Sequence, residues 1–152
     1  MHRRFACLAA LCFAVLGCRR AGPTTSSSSC ALTDDGGVLD VSGRVDGLYG
    51  VVDDHAGATP IARFDRMVRT GSGVDAQSGK RWIGVRLADD DARALREFTA
   101  APQGRGMAVV VDGVVASKHK IRQAIQSDVV QVSCCDPRAC DRWEALLGRG
   151  PR

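Results

Sequence analysis

A chain of 152 residues that is 45% hydrophobic, 25% charged and 5% aromatic has a globular composition, which excludes a disordered, collagen-like or coiled-coil protein. Its length suits one domain with a substantial hydrophobic core. The formal net charge is +4, and Arg3, Arg4, Arg19 and Arg20 concentrate basic charge at the N-terminus, so the remainder lacks the basic face of a nucleic-acid-binding domain.

Residues 1–17 read as a signal peptide, in which His2, Arg3 and Arg4 form a basic start, residues 5–16 a continuous apolar run, and Gly17 a small final residue. The run has 12 residues, short of the roughly 20 that a membrane-spanning helix needs. Val15-Leu16-Gly17-Cys18 resembles the lipobox of bacterial lipoproteins. That resemblance implies cleavage before Cys18 and acylation of its thiol and its new amine. The alternative is a signal peptide cut elsewhere, with Cys18 an incidental thiol. Several acyl chains anchor stably, because each buried methylene contributes about 0.8 kcal/mol. Arg19 stands where lipoproteins retained at the inner membrane carry aspartate, which implies the outer membrane. Residues 18–37 are then a lipid anchor and linker. Gly22, Pro23, Thr24, Thr25 and the serines from Ser26 to Ser29 bury too little apolar area to offset their ordering entropy.

Residues 38–152 read as a single domain. β-Branched apolar runs at 38–41 and 48–52 predict two strands, followed by a turn at 53–57. Residues 61–68 fit a helix or a strand. Residues 82–87 alternate as a strand, with Ile83, Val85 and Leu87 on one face and Trp82, Gly84 and Arg86 on the other. Asp89, Asp90 and Asp91 can cap free amides and complement the dipole of a helix from about 90 to 100, which buries Ala92, Leu95 and Phe98. Pro102 and Gly104 mark its exit. The apolar run 107–111 predicts a strand covered on both faces. Asp112-Gly113 then predicts a tight hairpin leading into a strand at 114–116. Ser117 can cap a short helix over 118–126 that buries Ile121, Ala124 and Ile125. A strand at 129–132 follows, and Pro137 suits the first turn of a last helix carrying Trp143, Leu146 and Leu147 and ending at Gly148. The fold class is α+β: a small mixed or antiparallel sheet with a central Asp112-Gly113 hairpin and two or three helices on one face.

From 85 to 132 this order resembles the periplasmic head subdomain of SecD, an accessory subunit of the bacterial protein-export machinery. Val85-Arg86-Leu87, the helix bearing Leu95, Phe98 and Thr99, the block from Gly104 through Asp112-Gly113 to Ser117, and then Ile121 and Ile125 carry the resemblance. The chain departs from the family at Lys118-His119-Lys120, where Ala-Pro-Val is usual, and at Ser127-Asp128, where paired glycines are usual. The resemblance implies a periplasmic module whose family contacts polypeptide emerging from a translocon. The family's proton-conducting membrane helices have no counterpart here, so the chain cannot act as an export motor by itself.

Of the seven cysteines, Cys7 and Cys12 belong to the signal and Cys18 to the anchor, leaving Cys30, Cys134, Cys135 and Cys140. In an oxidising compartment these suggest disulfides with three possible pairings, the favoured one joining Cys140 to Cys134 or Cys135 and Cys30 to the other. A zinc site would need a fourth ligand that neither His55 nor His119 supplies by its spacing. No metal or cofactor is expected. His55 beside Asp53 and Asp54 has no nucleophile near it in sequence, and Ser117 lacks a nucleophile-elbow setting, so no enzyme is expected. Lys118, His119, Lys120 and Arg122 form a candidate binding patch for an acidic partner or anionic headgroups, against the plainer reading of a solvated helix face. The expected role is binding by a lipid-anchored envelope protein whose partner is a periplasmic protein or an unfolded polypeptide. A structural envelope protein with no client is the alternative, and an enzyme of unknown class comes last.

Overall fold

The computed structural model describes residues 38–101, 105–135 and 137–148. The signal peptide, Cys18, Cys30, the linker, Pro102 and Gly104 therefore lie outside the described residues. The class is α+β, and the strands form two antiparallel sheets where the sequence suggested one. In the larger sheet β1 (Gly47–Val52), β2 (His55–Ala56), β6 (Arg105–Val111) and β7 (Val114–Lys120) run in the order β2-β1-β6-β7, with β3 (Ala62–Arg63) also beside β1. The smaller sheet has β4 (Val68–Val74), β5 (Arg81–Arg86) and β8 (Val129–Ser133) in the order β4-β5-β8. Two helices complete the described domain, α1 (Asp89–Ala100) and α2 (Pro137–Leu147).

Asp112 and Gly113 connect β6 to β7 at φ 50° and 71°, with Val111 opposite Val114. Both residues occupy the left-handed region that a type I′ turn requires, and aspartate and glycine tolerate it. Asp53 and Asp54 do the same between β1 and β2. The apolar run on β6 is buried on both faces because each face meets a different core. Met107, Val109 and Val111 join α1, α2 and the smaller sheet, while Ala108 and Val110 pack with Tyr49, Val51 and Val115 under Leu39 and Val41. Residues 38–41 accordingly act as a cover rather than the predicted strand. Val38 makes an isolated bridge, and Leu39 and Val41 are buried against the sheet.

The ambiguous stretch 61–68 breaks into β3, a 3₁₀ turn (Phe64–Arg66) and the start of β4. The turn drops Phe64 onto Trp143 of α2, ring centroids 5.5 Å apart. Helix α1 buries Asp91, Ala92, Leu95 and Thr99, while Phe98 lies half-buried across Gly50, where a Cβ would come within 2.6 Å of its ring. The aspartate run does not cap this helix through its side chains. Ala88 occupies the N-cap without a side-chain bond, so the acids act on the helix dipole, and Asp91 pairs with Arg66 at 3.0 Å. Burial raises the Asp91 carboxyl above its ordinary value against the pull of Arg66.

The predicted helix over 118–126 is absent. Strand β7 instead runs on to Lys120, because β6 extends back to Arg105 and offers Gly106, Met107 and Ala108 as partners for Lys120, His119 and Lys118. A register shift between Val109 and Val110 leaves Ala116 without a partner in this ladder, so Val115 faces one core and Ala116 the other. Ser117 is therefore a fully buried strand residue and caps nothing. Residues 121–128 have no regular secondary structure, yet Ile121 and Ile125 pack on the main core, the burial expected of the helix without the helix. The Ile125 amide donates to Thr99 Oγ1 at 2.9 Å.

Helix α2 is fastened to the smaller sheet at several points. Cys140 in its first turn is joined to Cys134 just after β8, and Cys135 is disulfide-bonded as well. Farther along, Glu144 receives Arg81 at 2.6 Å and also pairs with Arg69, while Arg81 reaches Asp141. The Ser72 hydroxyl, followed by the charges of Arg69 and Arg81, holds the Glu144 carboxyl below its ordinary value. A carboxyl depressed in the folded state stabilises it fully above the unfolded pKa of about 4.5, and that contribution is lost as pH falls through the lower folded value. Asp91 has the opposite sign: its raised pKa favours the fold below the ordinary aspartate value, and the benefit disappears as pH rises through the folded value. Glu144→Gln should therefore lower the urea midpoint at pH 7, and the gap from the unsubstituted protein should narrow progressively as pH falls below the ordinary glutamate value. An unchanged gap would assign Glu144 no electrostatic role.

Candidate functional site

Strands β7 and β8 are the last strands of their respective sheets. They meet where the Cys135 amide donates to Ala116 O at 3.1 Å and the Ser117 hydroxyl donates to Ser133 O at 2.6 Å. Beside this junction lies an open groove of about 350 Å³. Leu48, Met107, Val109, Ile121, Ile125 and Val132 supply its apolar lining, and His119, Lys120, Arg122, Gln123, Gln131 and Ser133 its polar one. Among the described residues no carboxylate lines it.

The strand conformation of residues 118–120 divides the patch that a helix would have gathered on one surface. Lys118 lies opposite Ala108 on the second face, where its ammonium meets Asp54 at 2.7 Å and its side chain is only 12% exposed. His119 lies opposite Met107 on the main-core face and reaches the groove. Lys120 borders this groove and a second hollow of about 300 Å³ beside Asp53 and Asp54. Arg122 is exposed between the groove and a smaller hollow of about 220 Å³. Arg105 also borders that hollow, its guanidinium 4.8 Å from the Phe98 ring centroid. Three of the four patch residues thus share the groove, and Lys118 does not.

His119 Nε2 is 2.7 Å from Ser117 Oγ and 3.3 Å from Ser133 O. Since the serine hydrogen goes to the Ser133 carbonyl, the ring N–H donates to the serine oxygen. Ser117 has no exposed surface, so this contact orients the imidazole at the groove wall and presents no attacking oxygen to solvent. His55 is exposed on the short strand β2. No group of three or more histidine, cysteine or acidic residues able to hold a metal occurs among the described residues. Among those residues no helix is long and apolar enough to cross a membrane. Sequence reasoning missed Gln123, Gln131 and Ser133 as groove residues and Arg69, Arg81 and Glu144 as the clamp on α2. Alternation along 129–133 separates Gln131 and Ser133 from buried Val130 and Val132, which was the one available signal for the former pair.

The geometry defines a small α+β module with a solvent-open groove at the junction of two antiparallel sheets. The SecDF P1 head subdomain matches residues 54–147, and the chain belongs to that family. The match extends beyond residues 85–132 on both sides, taking in the smaller sheet and α2. Two solved structures are similar at TM-score 0.50, each over 63% of this chain. One, described as a membrane component SecDF that enhances protein export, is 22% identical. The other, SecDF in a super-membrane-facing form, is 21% identical. At these identities they show the shared fold, and the aligned part spans only 43% and 13% of those chains. Among curated proteins none matches.

Proposed function

We propose that this protein is a lipid-anchored envelope module that contacts client polypeptide through the groove between β7 and β8, in support of protein export. The observation that carries this reading is the groove itself: apolar residues at the meeting of two sheet edges, rimmed by hydrogen-bonding side chains. An extended polypeptide needs apolar surface for its side chains and polar partners for its backbone, and sheet edges are a common place to find both. The family membership and the export role of the SecDF relative support the same reading. Acylation of Cys18 would place the module at a membrane, with residues 18–37 as the tether and the domain on the periplasmic side or the cell surface. Outer-membrane sorting follows from Arg19 and the lipobox resemblance. The proposed role is binding, and no catalytic step is assigned.

Photocrosslinking in the native envelope tests the proposal, with the probe at Arg122 and a control at Arg93 on the outer side of α1. The expected result is a broad set of exported polypeptides trapped at Arg122 and not at Arg93. Equal trapping at both positions, or none at either, overturns client contact at the groove.

A further inference from the structure

The charge of the groove points to a narrower class of client. We infer that it selects extended segments in which carboxylates are interspersed with apolar residues, an inference that rests on the client-contact reading above. Arg122 stands beside six apolar lining residues, with no aspartate or glutamate among the described residues of the lining. Arg122 is exposed and has no ion-pair or hydrogen-bond partner among the described residues, whereas Lys118 on the opposite face is already matched by Asp54. A cation left uncompensated beside apolar surface attracts an acid and disfavours a base. Gln123, Gln131 and Ser133 can meet peptide N–H and C=O groups, which a segment with an extended backbone presents on both sides. Buried apolar side chains then supply affinity, and the cationic rim supplies the preference.

Fluorescence anisotropy on the full-length protein tests this with three labelled peptides of equal length. In each, leucine and valine alternate with glutamate and aspartate, with glutamine and asparagine, or with lysine. The acidic peptide should bind about fivefold more tightly than the amide peptide, as expected for one partly exposed charge pair, and the lysine peptide most weakly. Raising the salt from about 50 mM to about 500 mM should erase the preference, because exposed charges are screened over a few ångströms there. Arg122→Glu should remove the preference, so that the acidic peptide binds no more tightly than the amide peptide. Arg122 is exposed, so the variant keeps its fold, which a thermal melt verifies. Equal binding of acidic and amide peptides overturns the charge selection while leaving client contact standing. No binding of any peptide overturns both. Saturation by vesicles of anionic lipid at the same residues, with no peptide competition, would assign the rim to a membrane surface and overturn the inference as well.

Discussion

Trp143→Ala should cost about 4 kcal/mol of folding stability, a large share of the 5–15 kcal/mol typical of a domain. The indole is 1% exposed and stacks on Phe64 at 5.5 Å with ring planes 16° apart. It stands in the main core with Leu87, Leu95, Val109, Cys140 and Leu147, where α1, α2 and both sheets converge. Alanine would leave a cavity that this many elements cannot close together, which puts the cost toward the upper part of the range for such truncations. Trp143→Phe should lose much less, since Nε1 has no hydrogen-bond partner among the described residues and the stack on Phe64 can be retained. Urea unfolding monitored by far-ultraviolet circular dichroism reads both. A loss below about 1 kcal/mol for the alanine variant would show that α2 is peripheral to the core.

The elements that could be read from the sequence were those in which one local pattern dominates. Residues 82–87 alternate, the first helix has its apolar stripe, Asp112-Gly113 falls between two apolar runs, and Pro137 opens α2. The misread elements are those in which distant pairing overrides local preference. Lys118-His119-Lys120 carries little strand character, and Ile121, Ala124 and Ile125 are spaced as on a helix. The ladder with residues 106–108 nevertheless holds 118–120 extended, and the two isoleucines reach the core from irregular chain. Residues 38–41 look like a strand because Leu39 and Val41 are buried, but burial there comes from covering the second face of β1, β6 and β7. Separation into two sheets depends on β5, in a local hairpin with β4, pairing also with β8, a contact between residues far apart in sequence that no local pattern encodes. The groove was legible as cationic residues and not as a groove. Its other wall is β8, and the approach of β7 to β8 is fixed by the Ser117–Ser133 and Ala116–Cys135 hydrogen bonds.

Replacing both Cys134 and Cys140 by alanine should cost about 2 kcal/mol and lower the melting temperature by about 10 °C in a domain near 100 residues. The bridge spans a sequence separation of only 6, so it restricts the unfolded chain modestly and the expected cost lies at the lower end for a disulfide. Both cysteines are buried, and Cys140 lies one helical turn before Trp143, so alanine at these sites also removes sulfur from the main core. Combined with Trp143→Ala, the loss should fall short of additivity, because the bridge and the indole fasten the same helix to the same core. With Glu144→Gln the losses should come closer to adding, since the ionic clamp holds a different part of α2 through Arg69 and Arg81. Peptide binding should respond differently from stability. The groove wall is held by backbone bonds that do not involve sulfur: Cys134 N–H to Arg81 O at 2.8 Å, Cys135 N–H to Ala116 O, and the β5–β8 ladder. Below its lowered melting temperature, the double alanine variant should therefore bind the acidic peptide with unchanged affinity. A weakened affinity there would mean that the bridge sets the separation of β7 and β8, making the groove dependent on the redox state of its surroundings.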